Sequence, residues 1–141
     1  MKPKLKSILL IDDDDATNFY NSYIIKKTEI TEKIDVALNG KDAIEFLTNK
    51  GKFFSESNNY PSPSLILLDI NMPVMNGWSF LEEYKKLDPA QKAEIVIVML
   101  TTSLNPDDLL KAESYTDIKE FKNKPLTSEI LWEIYDKYFN K

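Results

Sequence analysis

The chain has 141 residues, 43% hydrophobic and 29% charged, with a formal net charge of −5. That is enough for one domain with a full core and too acidic for a general affinity for nucleic acid or an anionic membrane. It contains no cysteine and no histidine, and every basic side chain is a lysine. Disulfides, thiol or imidazole catalysis and thiolate or imidazole zinc sites are thereby excluded, and any cation acting on a phosphate is a point-charge ammonium.

The opening "MKPKLKSILLIDDDD" has the lysines of a signal peptide, but its apolar run stops after four residues, shorter than a secretory core requires. No segment approaches the roughly 20 apolar residues of a membrane span, so the expected location is the cytoplasm.

Two apolar periods alternate along the chain. Residues 8–11 (ILLI) form a continuous run of strand length. Ala16, Phe19, Tyr20, Tyr23 and Ile24 follow at helical spacing and predict an aromatic core face. Ile34, Val36 and Leu38 alternate as on a half-buried strand, and Ala43, Ile44 and Leu47 mark a second helix. A long Asn- and Pro-rich connection, "NKGKFFSESNNYPSPS", precedes a second continuous run at 65–68. After Gly77 a third helix carries Phe80, Leu81, Tyr84 and Leu87, and residues 95–100 are a third continuous run. Asn105 and Pro106 predict the start of a fourth helix with Asp107 and Asp108 in its first turn, carrying Leu109, Leu110 and Ala112. Ile118 and Phe121 are the apolar points of a polar strand. Ile130, Leu131, Ile134, Tyr135 and Tyr138 form a last helix, capped by Thr127 or Ser128.

Five strands alternating with five helices predict an α/β doubly wound parallel sheet. Wholly apolar strands suit the centre and alternating or polar ones the edges. Residues 8–11, 65–68 and 95–100 are therefore expected inside, with 34–38 and 118–121 outside. The flavodoxin-like order 2-1-3-4-5 satisfies this, and its reversal between strands one and three marks where ligands gather.

In that order the polar residues at the strand ends share one rim: Asp12 and Asp13, then Asp69, then Thr101 and Thr102, and Lys124 before Pro125. Asp14 and Asp15 read differently, as the cap and first-turn acid of helix one. Two carboxylates about 4 Å apart repel by roughly 4 kcal/mol at an effective dielectric near 20. A hard cation relieves this, and oxygen-only donors point to magnesium. With the Thr101 hydroxyl and the Lys124 ammonium, such a pocket suits a phosphoryl group. Asp69, apart from the acidic pair in sequence, is the candidate nucleophile for an acyl phosphate.

The acidic pair Asp12–Asp13, "LLDINMP" around Asp69, Gly77, Thr101 and "KP" at Lys124–Pro125 resemble, in this order, the receiver domain of two-component response regulators, the CheY-like family. The resemblance covers nearly the whole chain, read as one receiver domain over 1–141. It implies that Asp69 takes a phosphoryl group from a phosphohistidine on a histidine kinase or histidine phosphotransfer protein. It further implies that Asp13 binds Mg2+ directly, Asp12 largely through water, and Asn71 by its backbone carbonyl. Thr101 and Lys124 would contact the phosphoryl oxygens, and Phe121 would be the aromatic that turns on activation. Phe121 departs from the frequent Tyr and lacks its hydroxyl, and Thr102 is bulkier than the frequent Ala or Gly.

The chain ends soon after the last helix, so the expected output is an unknown downstream protein, with a homodimer left open and no nucleic-acid or membrane partner. Two rival readings exist. "DDDAT" at 13–17 fits the D-x-D-x-T motif of haloacid-dehalogenase-like phosphatases, although no acidic motif follows Lys124. The other is a pseudo-receiver that docks without phosphorylation.

Overall fold

The computed structural model describes residues 3–51, 61–70, 75–92, 96–101, 106–116, 118–123 and 125–139, with backbone alone for 96–101 and 123. The elements are β1 (Ile8–Ile11), α1 (Asp15–Thr28), β2 (Ile34–Ala37), α2 (Gly40–Leu47), β3 (Leu65–Asp69), α3 (Gly77–Tyr84), β4 (Val96–Thr101), α4 (Pro106–Glu113), β5 (Ile118–Asn123) and α5 (Ser128–Tyr138). A 3-10 turn at Pro89–Gln91 follows α3. The five strands form one sheet in the order β2-β1-β3-β4-β5, all pairs parallel. Every crossover contains a helix, as parallel neighbours require.

Period-two alternation divides the central strands between two cores. Ile8, Leu10, Leu65 and Leu67 point toward Ile25 of α1 and Leu131, Ile134 and Tyr135 of α5. Leu9, Ile11, Ile66 and Leu68 point toward Ala43 and Leu47 of α2 and Phe80, Leu81 and Tyr84 of α3. These strand residues are all buried, and each such side chain withdrawn from water stabilises by about 1.5–3 kcal/mol.

Helix starts follow local chemistry. Asp14 caps α1 through Thr17 N–H, Asn39 caps α2 through Asp42 N–H, Asn76 caps α3 through Ser79 N–H and Thr127 caps α5 through Ile130 N–H. Each cap satisfies one of the first-turn N–H groups that a helix leaves unpaired. Pro106 opens α4 with Asp107 and Asp108 in its first turn, while Asn105 lies outside the described residues.

The aromatic face expected on α1 is reversed. Phe19 is 78% exposed, Tyr23 58% and Tyr20 41%, whereas the buried residues of this helix are Asn18, Asn21 and Ile25. At 100° per residue these three lie opposite the aromatics. Asn18 can occupy the inner face because its Nδ2 donates to the Asp12 carbonyl at 2.9 Å, which offsets the cost of burying an amide. Tyr20 turns its hydroxyl to the Leu126 carbonyl at 3.1 Å. The alternation on β2 is likewise shifted, for Val36 and Leu38 are exposed and Ala37 is the buried residue. On α4, Leu109 and Leu110 are exposed and Ala112 buried.

Helix α4 is tied to α3 by rings. Tyr115, just past α4, stacks on Trp78 of α3 with centroids 5.8 Å apart and planes at 24°. The Tyr115 hydroxyl donates to Glu82; that bond, aided by burial and by the negative charge, pushes the phenol up to about 12 and holds the Glu82 carboxyl below its usual range. A phenol raised in the folded chain contributes stability that is present below about pH 10, the unfolded value, and is lost as pH rises through about 12. One tyrosine should therefore titrate near pH 12, and Glu82→Gln should lower that value; NMR of ring-labelled tyrosine across this range measures both.

Candidate functional site

The sheet register builds the site from its backbone. Ile11 pairs with Leu68, so Asp12 and Asp69 leave the central strands side by side. Asp69 pairs with Leu100 of β4, which places Thr101 one step further along that rim. Thr101 in turn pairs with Asn123 of β5, the residue before Lys124. Lys124, Asn71 and Thr102 lie outside the described residues, and the described part of Thr101 is its backbone.

The acids meet. Asp12, Asp13 and Asp69 each offer a carboxylate oxygen, and these oxygens lie within 4.8 Å of one another. Asp12 and Asp69 are buried and Asp13 exposed, so the cluster is walled by protein on one side and open to solvent on the other. Asp12 is held on three sides. Its N–H donates to the Ala37 carbonyl at 3.1 Å, its carbonyl accepts from Asn18, and its Oδ1 accepts from Asp14 N–H at 3.0 Å. Three carboxylates converging in partly dehydrated surroundings are unfavourable by Coulomb's law unless positive charge joins them. The all-oxygen donor set fits a hard divalent cation of the magnesium type.

Two glycines lie against the described residues on either side of 71–74. Gly77 N–H donates to the Ile70 carbonyl at 2.8 Å, and a Cβ at residue 77 would stand 2.7 Å from the Asp69 carbonyl oxygen and 2.8 Å from Ile70 Cα. Gly40 N–H donates to the Met75 carbonyl at 2.9 Å, and a Cβ there would meet the same oxygen at 2.7 Å. At both points the obstacle is backbone, which cannot rotate aside. Gly77→Ala is expected to cost about 1–3 kcal/mol, the range for overpacking, measurable by urea denaturation, and to displace Asp69 from its partners.

Asn18 was missed in the sequence because it falls among apolar neighbours on a helix whose aromatics draw the eye to the opposite face. It is buried and ties α1 to Asp12, and its Oδ1 has no hydrogen-bond partner. Phe121 is half-buried and packs, with Trp78, Tyr115 and Ile118, against the core beneath α2 and α3. The expected capping role of Asp14 and the first-turn place of Asp15 both hold.

A doubly wound parallel sheet with an acidic, oxygen-only cluster at its switch point is a flavodoxin-like α/β module carrying its site where that fold places ligands. The particular family follows from the comparisons: the response regulator receiver domain matches residues 8–136, and the chain belongs to that family. It is 36% identical over 105 residues to Response regulator Rcp1 of Synechocystis, covering 74% of this chain and 67% of that protein. Among solved structures, a two-component response regulator from Cytophaga hutchinsonii is 35% identical with a TM-score of 0.79, covering 96% of this chain and 97% of that one. A two-component response regulator from Legionella pneumophila is 30% identical with a TM-score of 0.75, covering 93% and 98%. The chain is thus a CheY-like signalling protein of two-component systems and not an enzyme, which sets aside the phosphatase reading. No helix among the described residues is long and apolar enough to cross a membrane.

Proposed function

We propose that this chain, acting over its 141 residues as one cytoplasmic receiver domain, is a phosphoacceptor switch whose acceptor is Asp69. The observation that carries the reading is the meeting of three carboxylates from two strand ends within 4.8 Å. In the transfer, an Asp69 carboxylate oxygen attacks the phosphorus of a phosphohistidine on a histidine kinase or phosphotransfer protein. An oxygen–phosphorus bond forms, the phosphorus–nitrogen bond breaks, and its electron pair returns to the donor imidazole. The product on this chain is an acyl phosphate.

Asp12, Asp13, Asp69 and the backbone carbonyl of Asn71 are the residues that would hold magnesium, which when bound supplies neutralising charge for the phosphoryl oxygens. Thr101, whose backbone follows Leu100, the partner of Asp69, along β4, and Lys124, next in sequence after Asn123 of β5, are assigned to those oxygens as hydroxyl donor and ammonium. As Thr101 moves toward the phosphoryl group, Phe121 turns into the space released, and the face built from α4, β5 and α5 changes shape. A downstream protein that prefers the altered face then shifts the population.

Intact mass after incubation with magnesium and acetyl phosphate tests the reading. One phosphoryl group per chain, mapped to Asp69 and lost slowly, is expected. A chain never labelled would speak for a docking module without phosphorylation.

A further inference from the structure

Helix α4 is thinly anchored. Of its eight residues, Pro106–Glu113, Ala112 is the buried one, so the burial that normally docks a helix is small here. At its C-terminal end four groups stack in order, from α4 and the turn after it and from α3 and its C-cap. Lys111 Nζ stands 4.8 Å from the Trp78 ring centroid, Trp78 stacks on Tyr115, and Lys85 Nζ stands 5.6 Å from the Tyr115 ring on its own account. Glu82 accepts from the Tyr115 hydroxyl and pairs with Lys85 at 3.4 Å. Trp78 and Tyr115 pack on the same core as Phe121, and Ile118, the first residue of β5, donates its N–H to the Tyr115 carbonyl at 3.2 Å. The stack therefore touches α3, the end of α4 and the start of β5.

We propose that this cation–ring–ring–cation stack is a latch that holds α4 on α3 in the unphosphorylated chain, and that the ease of its opening sets how readily the α4–β5 face rearranges. The proposal rests on the reading of Asp69 as phosphoacceptor. An element with little buried apolar surface is the one expected to open first, and ring stacking and cation–ring contacts at its foot then govern the balance between resting and altered states. Weakening them raises the fraction of chains in the altered state, and a phosphodonor that reacts with that state then labels the chain faster.

Two variants separate the latch from general damage. Trp78→Leu removes the centre of the stack; Lys111→Met, at an exposed site, removes one cation and keeps an unbranched stem. Labelling of Asp69 by acetyl phosphate with magnesium should run about threefold faster in Lys111→Met and up to about tenfold faster in Trp78→Leu, the factors that contacts of this type carry. In a Trp132→Phe background, where Trp78 is the remaining tryptophan, its emission should shift on adding magnesium and beryllium fluoride, and Asp69→Asn should abolish the shift. A parent chain labelled at Asp69 whose Lys111→Met and Trp78→Leu variants label no faster, or whose Trp78 emission does not move, overturns the latch and leaves the phosphoacceptor reading standing. A parent chain that is never labelled overturns that reading and the latch with it.

Discussion

Replacing Asp69 with asparagine is expected to abolish phosphoryl labelling altogether. The amide has nearly the shape of the carboxylate, so the fold should survive; what disappears is the anionic oxygen that attacks phosphorus. Asp69 occupies the last position of a strand whose other four residues are all buried, with its neighbours Leu68 and Leu100 fixing its backbone through the parallel ladder. Its aim is therefore set by the sheet and not by a loop. Asp12→Asn and Asp13→Asn act differently, removing a ligand and not the nucleophile, and should slow labelling without ending it. Intact mass with site mapping on the three variants distinguishes the roles: full-yield labelling of Asp69→Asn would place the acceptor elsewhere.

Magnesium should raise the thermal stability of the chain by a large margin. Two carboxylates about 4 Å apart repel by roughly 4 kcal/mol at an effective dielectric near 20, and here three have oxygens within 4.8 Å. A ligand that binds the folded state alone, at a hundred times its dissociation constant, stabilises by about 2.7 kcal/mol. For a chain of this length that corresponds to roughly 8 °C in Tm. Asp13→Asn carries the opposite sign in the two conditions. It removes one repelling charge at an exposed position, so the variant should melt higher than the parent in chelator, and it removes a ligand, so its gain from magnesium should shrink. Calorimetry of both proteins with magnesium and with chelator checks this. Superimposable melting curves in the two buffers would mean that the cluster holds no cation.

The two halves of the site were not equally legible. Asp12, Asp13 and Asp69 could be brought together from the sequence because continuous apolar runs ended in acids, and a parallel sheet aligns such ends on one rim. Gly40 and Gly77 could be seen, but not the reason for them, since the obstructing atoms are a carbonyl 35 residues away for Gly40 and the backbone of Asp69 and Ile70 at the end of β3 for Gly77. Helix α1 misled. Its aromatics repeat with helical spacing and its asparagines do too, so periodicity was satisfied by either face. The choice fell to a hydrogen bond between Asn18 and the Asp12 carbonyl, which becomes available once β1 and α1 are packed together. Tyrosine, with a polar tip on an apolar body, tolerates the exposed side.

The ring stack between α3 and α4 shows the same division. Trp78 and Tyr115 stand 37 positions apart and no local pattern links them; they meet because β3 and β4 are adjacent in the sheet and their helices cover one face. The order of the strands, the rim and the acids upon it were determined by the sequence alone, because strand burial and the alternation of periods are properties of short segments. Which face of a helix turns inward, which glycine faces a carbonyl and which rings stack were decided by the tertiary structure, because each depends on a surface that exists after the segments have come together.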